Sequence, residues 1–97
     1  METFVILRRH GWGSPEELGV AAERSSAEGE KMGGDVKWIR TYVFTEDDGT
    51  LGTVCIYQAK DADTVRRHAG AAALPATEIL SVADTVVVNP DPQPATA

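Results

Sequence analysis

Two helix signals, each lying between segments of strand composition, restrict this chain of 97 residues to a small set of folds. The first is Ser14-Pro15-Glu16-Glu17, with serine at the N-cap, proline at the first helical position and a glutamate that can close a capping box. This helix is predicted to reach about Met32 and to end at Gly33-Gly34, because glycine accepts the left-handed conformation common after helix C-termini. Asp61 can cap a second helix, which Pro75 ends.

The strand segments complete the order of elements. Apolar or alternating residues occupy 2–9, 36–45, 51–59 and 77–88, and an Asp-Gly turn at 46–50 joins the second segment to the third. The order β-α-β-β-α-β predicts a ferredoxin-like α+β fold, with a four-stranded antiparallel sheet and both helices on one of its faces. Residues 1–88 are predicted to form this single domain. Residues 89–97, with prolines at alternate positions, are predicted to form an extended proline-rich tail.

Alternation along the second and third strands predicts which side chains face away from the helices. If the aliphatic residues Ile39, Val43, Val54 and Ile56 face the helices, the aromatic residues lie on the opposite face. Such a large apolar patch needs a cover, so we expect a homodimer in which two sheets pair as in a dimeric α/β-barrel. The same face can also line a small-molecule cleft. The residues assigned to this dimer face or ligand cleft are Trp38, Arg40, Tyr42 and Tyr57, with Phe44, Thr53 and Cys55 beside them.

The charge and the motifs disfavour several classes of protein. The formal net charge of −6, from 15 acidic and 9 basic side chains, repels phosphate backbones and anionic lipid, which disfavours nucleic-acid and membrane partners. A single cysteine forbids an internal disulfide. No signal peptide is visible and no run approaches the roughly 18 apolar residues that span a bilayer, so the expected location is the cytoplasm. No nucleotide fingerprint, Ser-His-Asp order or metalloprotease motif is present, which disfavours an enzyme.

Three side chains have the donor chemistry of a transition-metal ligand. His68 lies at the margin of the second helix's apolar stripe, Cys55 in the middle of the third strand and His10 at the end of the first. Imidazole and thiolate are donors that nickel, copper and zinc accept. Each residue also has a common alternative role: His68 in packing, Cys55 as a small buried hydrophobe and His10 as a solvated loop residue.

Five short motifs follow one another along the chain. They are Ser14-Pro15-Glu16-Glu17-Leu18, Val36-x-Trp38-Ile39-x-x-Tyr42-Val43, Cys55-Ile56-Tyr57, Ala59-x-Asp61 with Val65-Arg66-x-His68-Ala69, and Leu74-Pro75-Ala76-x-x-Ile79. In this order and spacing they resemble a family of small actinobacterial nickel-binding proteins, long catalogued as a domain of unknown function. The resemblance extends over about residues 3–83 and leaves out the proline-rich tail.

The resemblance implies a ferredoxin-like fold, a homodimer and binding of Ni²⁺, without an established reaction. The chain is therefore predicted to be a small dimeric cytoplasmic protein that holds a divalent transition metal, nickel first. Its candidate ligands, chosen by donor chemistry, are His68, Cys55 and His10. One alternative is a small-molecule sensor or enzyme with an aromatic-lined cleft at the sheet face or dimer interface. Another alternative is an interaction or structural protein that functions only through its dimer face.

Overall fold

The computed structural model describes residues 1–93 and has the element order expected of a ferredoxin-like fold. The sheet has the strand order β2-β3-β1-β4, and all neighbouring strands are antiparallel. This arrangement confirms the predicted fold class. The elements are β1 (Glu2–Trp12), α1 (Pro15–Lys31), β2 (Val36–Thr45), β3 (Leu51–Ala59), α2 (Ala62–Ala71) and β4 (Glu78–Ser81).

Both helices begin at the predicted caps. The Ser14 hydroxyl accepts a hydrogen bond from the Glu17 N–H at 3.3 Å, while the Glu17 carboxylate accepts one from the Gly13 N–H at 2.6 Å, one residue before the position a standard capping box uses. At the start of α2, the Asp61 carboxylate accepts from the Thr64 N–H at 2.8 Å. Neither helix of residues 1–93 is long and apolar enough to cross a lipid bilayer.

The face of the sheet that packs under the helices carries the side chains that the alternation argument placed on the opposite face. Along β1, Phe4, Ile6 and Arg8 are buried, and they pair with Tyr57, Cys55 and Thr53 of β3 in that order. The Tyr57 hydroxyl lies 2.9 Å from the Ser25 hydroxyl of α1, and its ring centroid lies 5.5 Å from that of His68 in α2. The prediction that Tyr57, Cys55 and Thr53 face away from the helices is therefore wrong.

In β3 the error lies in the assumption that the aliphatic residues face the helices, and in β2 an irregularity also divides the predicted face. Trp38 pairs with Tyr57 but Arg40 pairs with Ile56, so the register shifts by one residue between them. A β-bulge of this kind reverses the phase of alternation along a strand. Trp38 accordingly lies with Tyr57 on the helix side, with parallel rings 6.1 Å apart, whereas Arg40 and Tyr42 lie on the other face. The predicted aromatic face is thus divided between the two sides of the sheet.

The open face, which we define as the sheet face away from the helices, carries half-buried aliphatic side chains and part of the segment after β4. The predicted fourth strand at 77–88 is wrong in length, because pairing ends at Ser81. The segment continues beside the open face, where Asp91 accepts a hydrogen bond from the Tyr42 hydroxyl at 2.6 Å and forms an ion pair with Arg40. Residues 94–97 of the predicted tail lie outside the described residues.

Candidate functional site

His68 is enclosed between the two helices and the sheet. Its side chain is 1% exposed, and its Nε2 lies 2.9 Å from the backbone oxygen of Ser25. Because a carbonyl oxygen can only accept, Nε2 carries the proton and donates a hydrogen bond to the Ser25 carbonyl. The Nδ1 atom is buried and has no hydrogen-bond partner within residues 1–93. This environment is typical of a histidine that packs in a core, because Nε2 is hydrogen-bonded to α1 and Nδ1 is shielded from solvent.

Cys55 occupies the middle of β3 and is also buried. Its sulfur accepts a hydrogen bond from the Thr41 hydroxyl at 3.2 Å and lies 3.5 Å from the Thr53 hydroxyl. Together with Tyr57 it borders a cavity beneath α1. The alternative reading of Cys55 as a small buried side chain therefore fits its position.

His10 lies at the other end of the sheet, where β1 runs beside the turn between β2 and β3. The backbone has a positive φ of 51° there, and the pairing of β1 with β3 is irregular between Arg8 and Trp12. Bulges and strained residues often direct a side chain toward a site. The imidazole is 51% exposed, and its Nδ1 lies 3.1 Å from both the Asp48 carboxylate and the Thr50 hydroxyl.

Two carboxylates surround His10 and both are ionised. Glu46 accepts two hydrogen bonds from the Arg9 guanidinium, at 2.9 and 2.7 Å, and one from the His10 N–H at 2.8 Å. The Arg9 hydrogen bonds are the main reason that the pKa of Glu46 falls to about 2. The pKa of Asp48 is also lowered, because the Thr50 hydroxyl and N–H donate to it. The turn is therefore a negatively charged neighbourhood for an exposed imidazole.

The three predicted metal ligands do not form one site. Within residues 1–93 no group of three histidine, cysteine or acidic side chains is placed to hold a metal ion. Nickel with nitrogen and oxygen donors commonly takes a square-planar arrangement, which needs four ligands. Residues 1–93 of one chain therefore do not fit a complete nickel site, and His10 is the one predicted ligand among them that is open to solvent.

A cavity of about 230 Å³ lies between α1 and the sheet. Its walls are mainly apolar. Arg8 of β1, with only 1% of its surface exposed, forms a charged part of these walls. Arg8 donates through Nη1 to the backbone oxygen of Pro75, while its Nη2 has no partner within residues 1–93. The apolar side chains that line the cavity include Trp12, Leu18, Ala22, Trp38, Val43 and Leu74.

Arg8 was not predicted as a site residue. It lies at the same two-residue spacing as Phe4 and Ile6. That spacing places it on the buried face of β1, which is the signal that marks it. The predicted cleft residues divide: Trp38 and Tyr57 line this cavity, while Arg40 and Tyr42 lie on the open face beside Asp91.

Comparisons with known proteins point to one family. A family described as "Nickel responsive protein SCO4226-like" matches residues 4–82. Among solved structures, the crystal structure of SCO4226 from Streptomyces coelicolor A3(2) superposes with a TM-score of 0.68 at 19% sequence identity, covering 87% of this chain and 99% of that one. At this identity the likeness shows a shared fold. No curated protein sequence matches the chain.

Proposed function

Because the chain belongs to the SCO4226-like family of nickel-responsive proteins, we propose that it binds Ni²⁺ through the exposed imidazole of His10. The observation that carries the proposal is the contact of His10 Nδ1 with the Asp48 carboxylate at 3.1 Å. An imidazole that donates Nδ1–H to a carboxylate is oriented with Nε2 free to bind a metal. Asp48 is therefore the orienting group and Nε2 of His10 the ligand atom.

The charge around His10 supports a cation at this position. The Glu46 carboxylate lies 3.8 Å from His10 Nε2, and its low pKa keeps it ionised at neutral pH. Part of that charge is already balanced by Arg9, so Glu46 contributes mainly to the local field. The remaining coordination positions of the ion are filled by water or by a second copy of the chain. Such a site is shallow and exchanges its metal readily, which suits a protein that responds to nickel.

Calorimetric titration with Ni²⁺ of protein made without an affinity tag tests this site. His10→Ala should weaken binding by at least about tenfold, since even the outer-shell partners of a ligand are worth roughly 10–100-fold in metal affinity. Asp48→Asn should give a smaller loss, because the ring keeps a hydrogen-bonding neighbour. His68→Leu is the matched control that removes the other imidazole and should bind like wild type. No heat with the wild-type protein, or unchanged binding by His10→Ala, would overturn the proposal.

A homodimer formed through the open face is the second part of this proposal, together with a cytoplasmic location. The face offers apolar surface in one patch: Tyr42 is 46% exposed and Leu80 49%, while Val54 and Ile56 are half-buried. A chain of this size buries a modest share of its surface alone, so pairing of two sheets adds stability. The segment from Val82 to Asp91 borders the patch and would contact the partner.

Light scattering checks the dimer. Wild-type protein should have twice the chain mass of 10.4 kDa, and Ile56→Lys should have the mass of one chain, because a buried ammonium at the interface would be unpaired. Val20→Lys, which places the same charge on the exposed surface of α1, is the control and should stay dimeric. Wild-type protein with the mass of a single chain would contradict this part of the proposal.

A further inference from the structure

We propose that the cavity beneath α1 binds a small monocarboxylate with an apolar body, its carboxylate against the Arg8 guanidinium and its body between Trp12 and Trp38. This site is separate from the nickel site proposed at His10, since it lies on the helix face of the sheet and contains none of the carboxylates at the β2–β3 turn. Nothing in the nickel proposal is needed for it.

The state of Arg8 is the first observation. Burying a charged group without a counter-charge is costly, and proteins normally pair such groups with an opposite charge. The neighbouring Arg9, which is half-exposed, has a carboxylate partner in Glu46, whereas the buried Arg8 donates to the Pro75 carbonyl, lies near the Tyr57 hydroxyl and has no carboxylate partner within residues 1–93. A water molecule on Nη2 would satisfy its hydrogen atoms but leave the positive charge uncompensated. An anion would accept hydrogen bonds from Nη2 and also balance the positive charge of Arg8.

The walls of the cavity are the second observation. Its volume of about 230 Å³ lies below the roughly 300–1,000 Å³ of sites for drug-sized ligands, so the ligand is small. Apart from Arg8, the polar groups at its surface are mainly hydroxyls, and the rest is aromatic or aliphatic. Trp38 and Val43 are 38% and 51% exposed, which places the entrance at their edge of the cavity.

The hydroxyl groups near Arg8 favour a carboxylate over a larger anion. Tyr57 and Ser25 share a hydrogen bond of 2.9 Å in which either oxygen can be the donor, so one hydroxyl hydrogen can turn toward a ligand. Burial raises the pKa of the Tyr57 phenol, which keeps that hydrogen in place at neutral pH. Arg8 is the one cationic side chain among the described residues that line the cavity, so a phosphate dianion would itself be left with a buried, unpaired charge.

Intrinsic fluorescence can report the binding directly, because both tryptophans of the chain, Trp12 and Trp38, line the cavity. The probes are hexanoate and cyclohexanecarboxylate, their neutral amides, and phosphate, titrated in the presence of a chelator so that no metal contributes. We expect a saturable change with the two acids, with affinities at least about tenfold weaker for the amides, as for loss of a charged hydrogen bond. The acids should also raise the melting temperature by mass action.

Two variants separate the charge from the cavity. Arg8→Met keeps a long side chain without the charge and should abolish the preference for acid over amide. Ala22→Leu keeps Arg8 but fills part of the cavity, and should weaken the acid and the amide alike by about tenfold or more. If Arg8→Met does not fold, the proposal is still tested by comparing acid with amide in the wild type and by titrating Ala22→Leu. Equal binding of acids and amides, binding of phosphate alone, or no response of the wild type to either acid overturns the proposal.

Discussion

The Gly52→Ala variant should have a free energy of unfolding about 1–3 kcal/mol below that of the wild type, as for other insertions into close-packed regions. Gly52 lies in β3 directly opposite Phe44 of β2. A Cβ atom at this position would lie 2.7 Å from two atoms of the Phe44 ring and 2.8 Å from Oε2 of Glu46. These distances are shorter than carbon and oxygen atoms tolerate, so either the ring or the carboxylate must move.

Neither neighbour of Gly52 can move without losing contacts. The Arg9 guanidinium lies 5.6 Å from the centre of the Phe44 ring, a cation–π contact, and the same guanidinium holds Glu46 through two hydrogen bonds. Glu46 also accepts from the His10 N–H. Displacing the carboxylate therefore disturbs the whole end of the hairpin, including the imidazole proposed to bind nickel.

Urea denaturation of Gly52→Ala measures the loss of stability. Gly19→Ala is the control, because the same substitution there should raise stability. Gly19 lies within α1, and a Cβ there has no neighbour within 4 Å. Its replacement by alanine should raise stability by roughly 0.5–1 kcal/mol, because glycine is unfavourable inside helices. If the two variants proved equally stable, the close approach of Phe44 and Glu46 to Gly52 would be contradicted.

The parts of the fold that local chemistry determines were predictable from the sequence. Ser14 and Asp61 cap their helices as expected, because a side-chain oxygen at the N-cap satisfies backbone donors regardless of what the helix packs against. The turn around Asp48 and Gly49, where Gly49 has a φ of 87°, likewise follows from residues that tolerate this conformation. Given these elements, the order of the fold follows from the rules of connection.

The assignment of sheet faces was not predictable in the same way. A one-residue bulge between Trp38 and Arg40 reverses the alternation of β2, and no residue type in that stretch marks it. The length of β4 also depends on tertiary pairing: Val82 donates to Thr3 and the next valines continue without a partner strand, although their composition suits one. Composition describes what a strand tolerates, whereas pairing decides where it ends.

The two candidate sites also differ in how far the sequence alone predicts them. His10 and Asp48 are 38 positions apart, and the hairpin register that brings them together is a tertiary property. Arg8 is a different case, since its spacing from Phe4 and Ile6 marks it as inward-facing in the sequence itself. A charged residue in phase with the apolar face of a strand is a signal of a buried charge, and here that charge lies in a cavity.

His68→Ala should lower the free energy of unfolding by about 2–4 kcal/mol, since truncating a large buried side chain leaves a cavity and removes its hydrogen bond. His68 packs against Tyr57 and donates to the Ser25 carbonyl of α1, so it joins both helices to the sheet. His68→Leu restores most of the volume and removes the buried Nδ1 that has no partner within residues 1–93. Because leucine cannot donate to the Ser25 carbonyl, the substitution should still cost about 1 kcal/mol, the net contribution of one hydrogen bond.

Urea denaturation and nickel titration of these two variants together distinguish a packing histidine from a metal ligand. If His68 packs the core, stability falls in His68→Ala and largely returns in His68→Leu, while the nickel affinity of His68→Leu equals that of the wild type. If His68 is a ligand, as its donor chemistry suggested, both variants lose nickel affinity whatever their stability. Because the His68 ring is 1% exposed and its Nε2 is hydrogen-bonded to α1, a metal would have to displace that bond or the packing around the buried Nδ1. We therefore expect the first outcome.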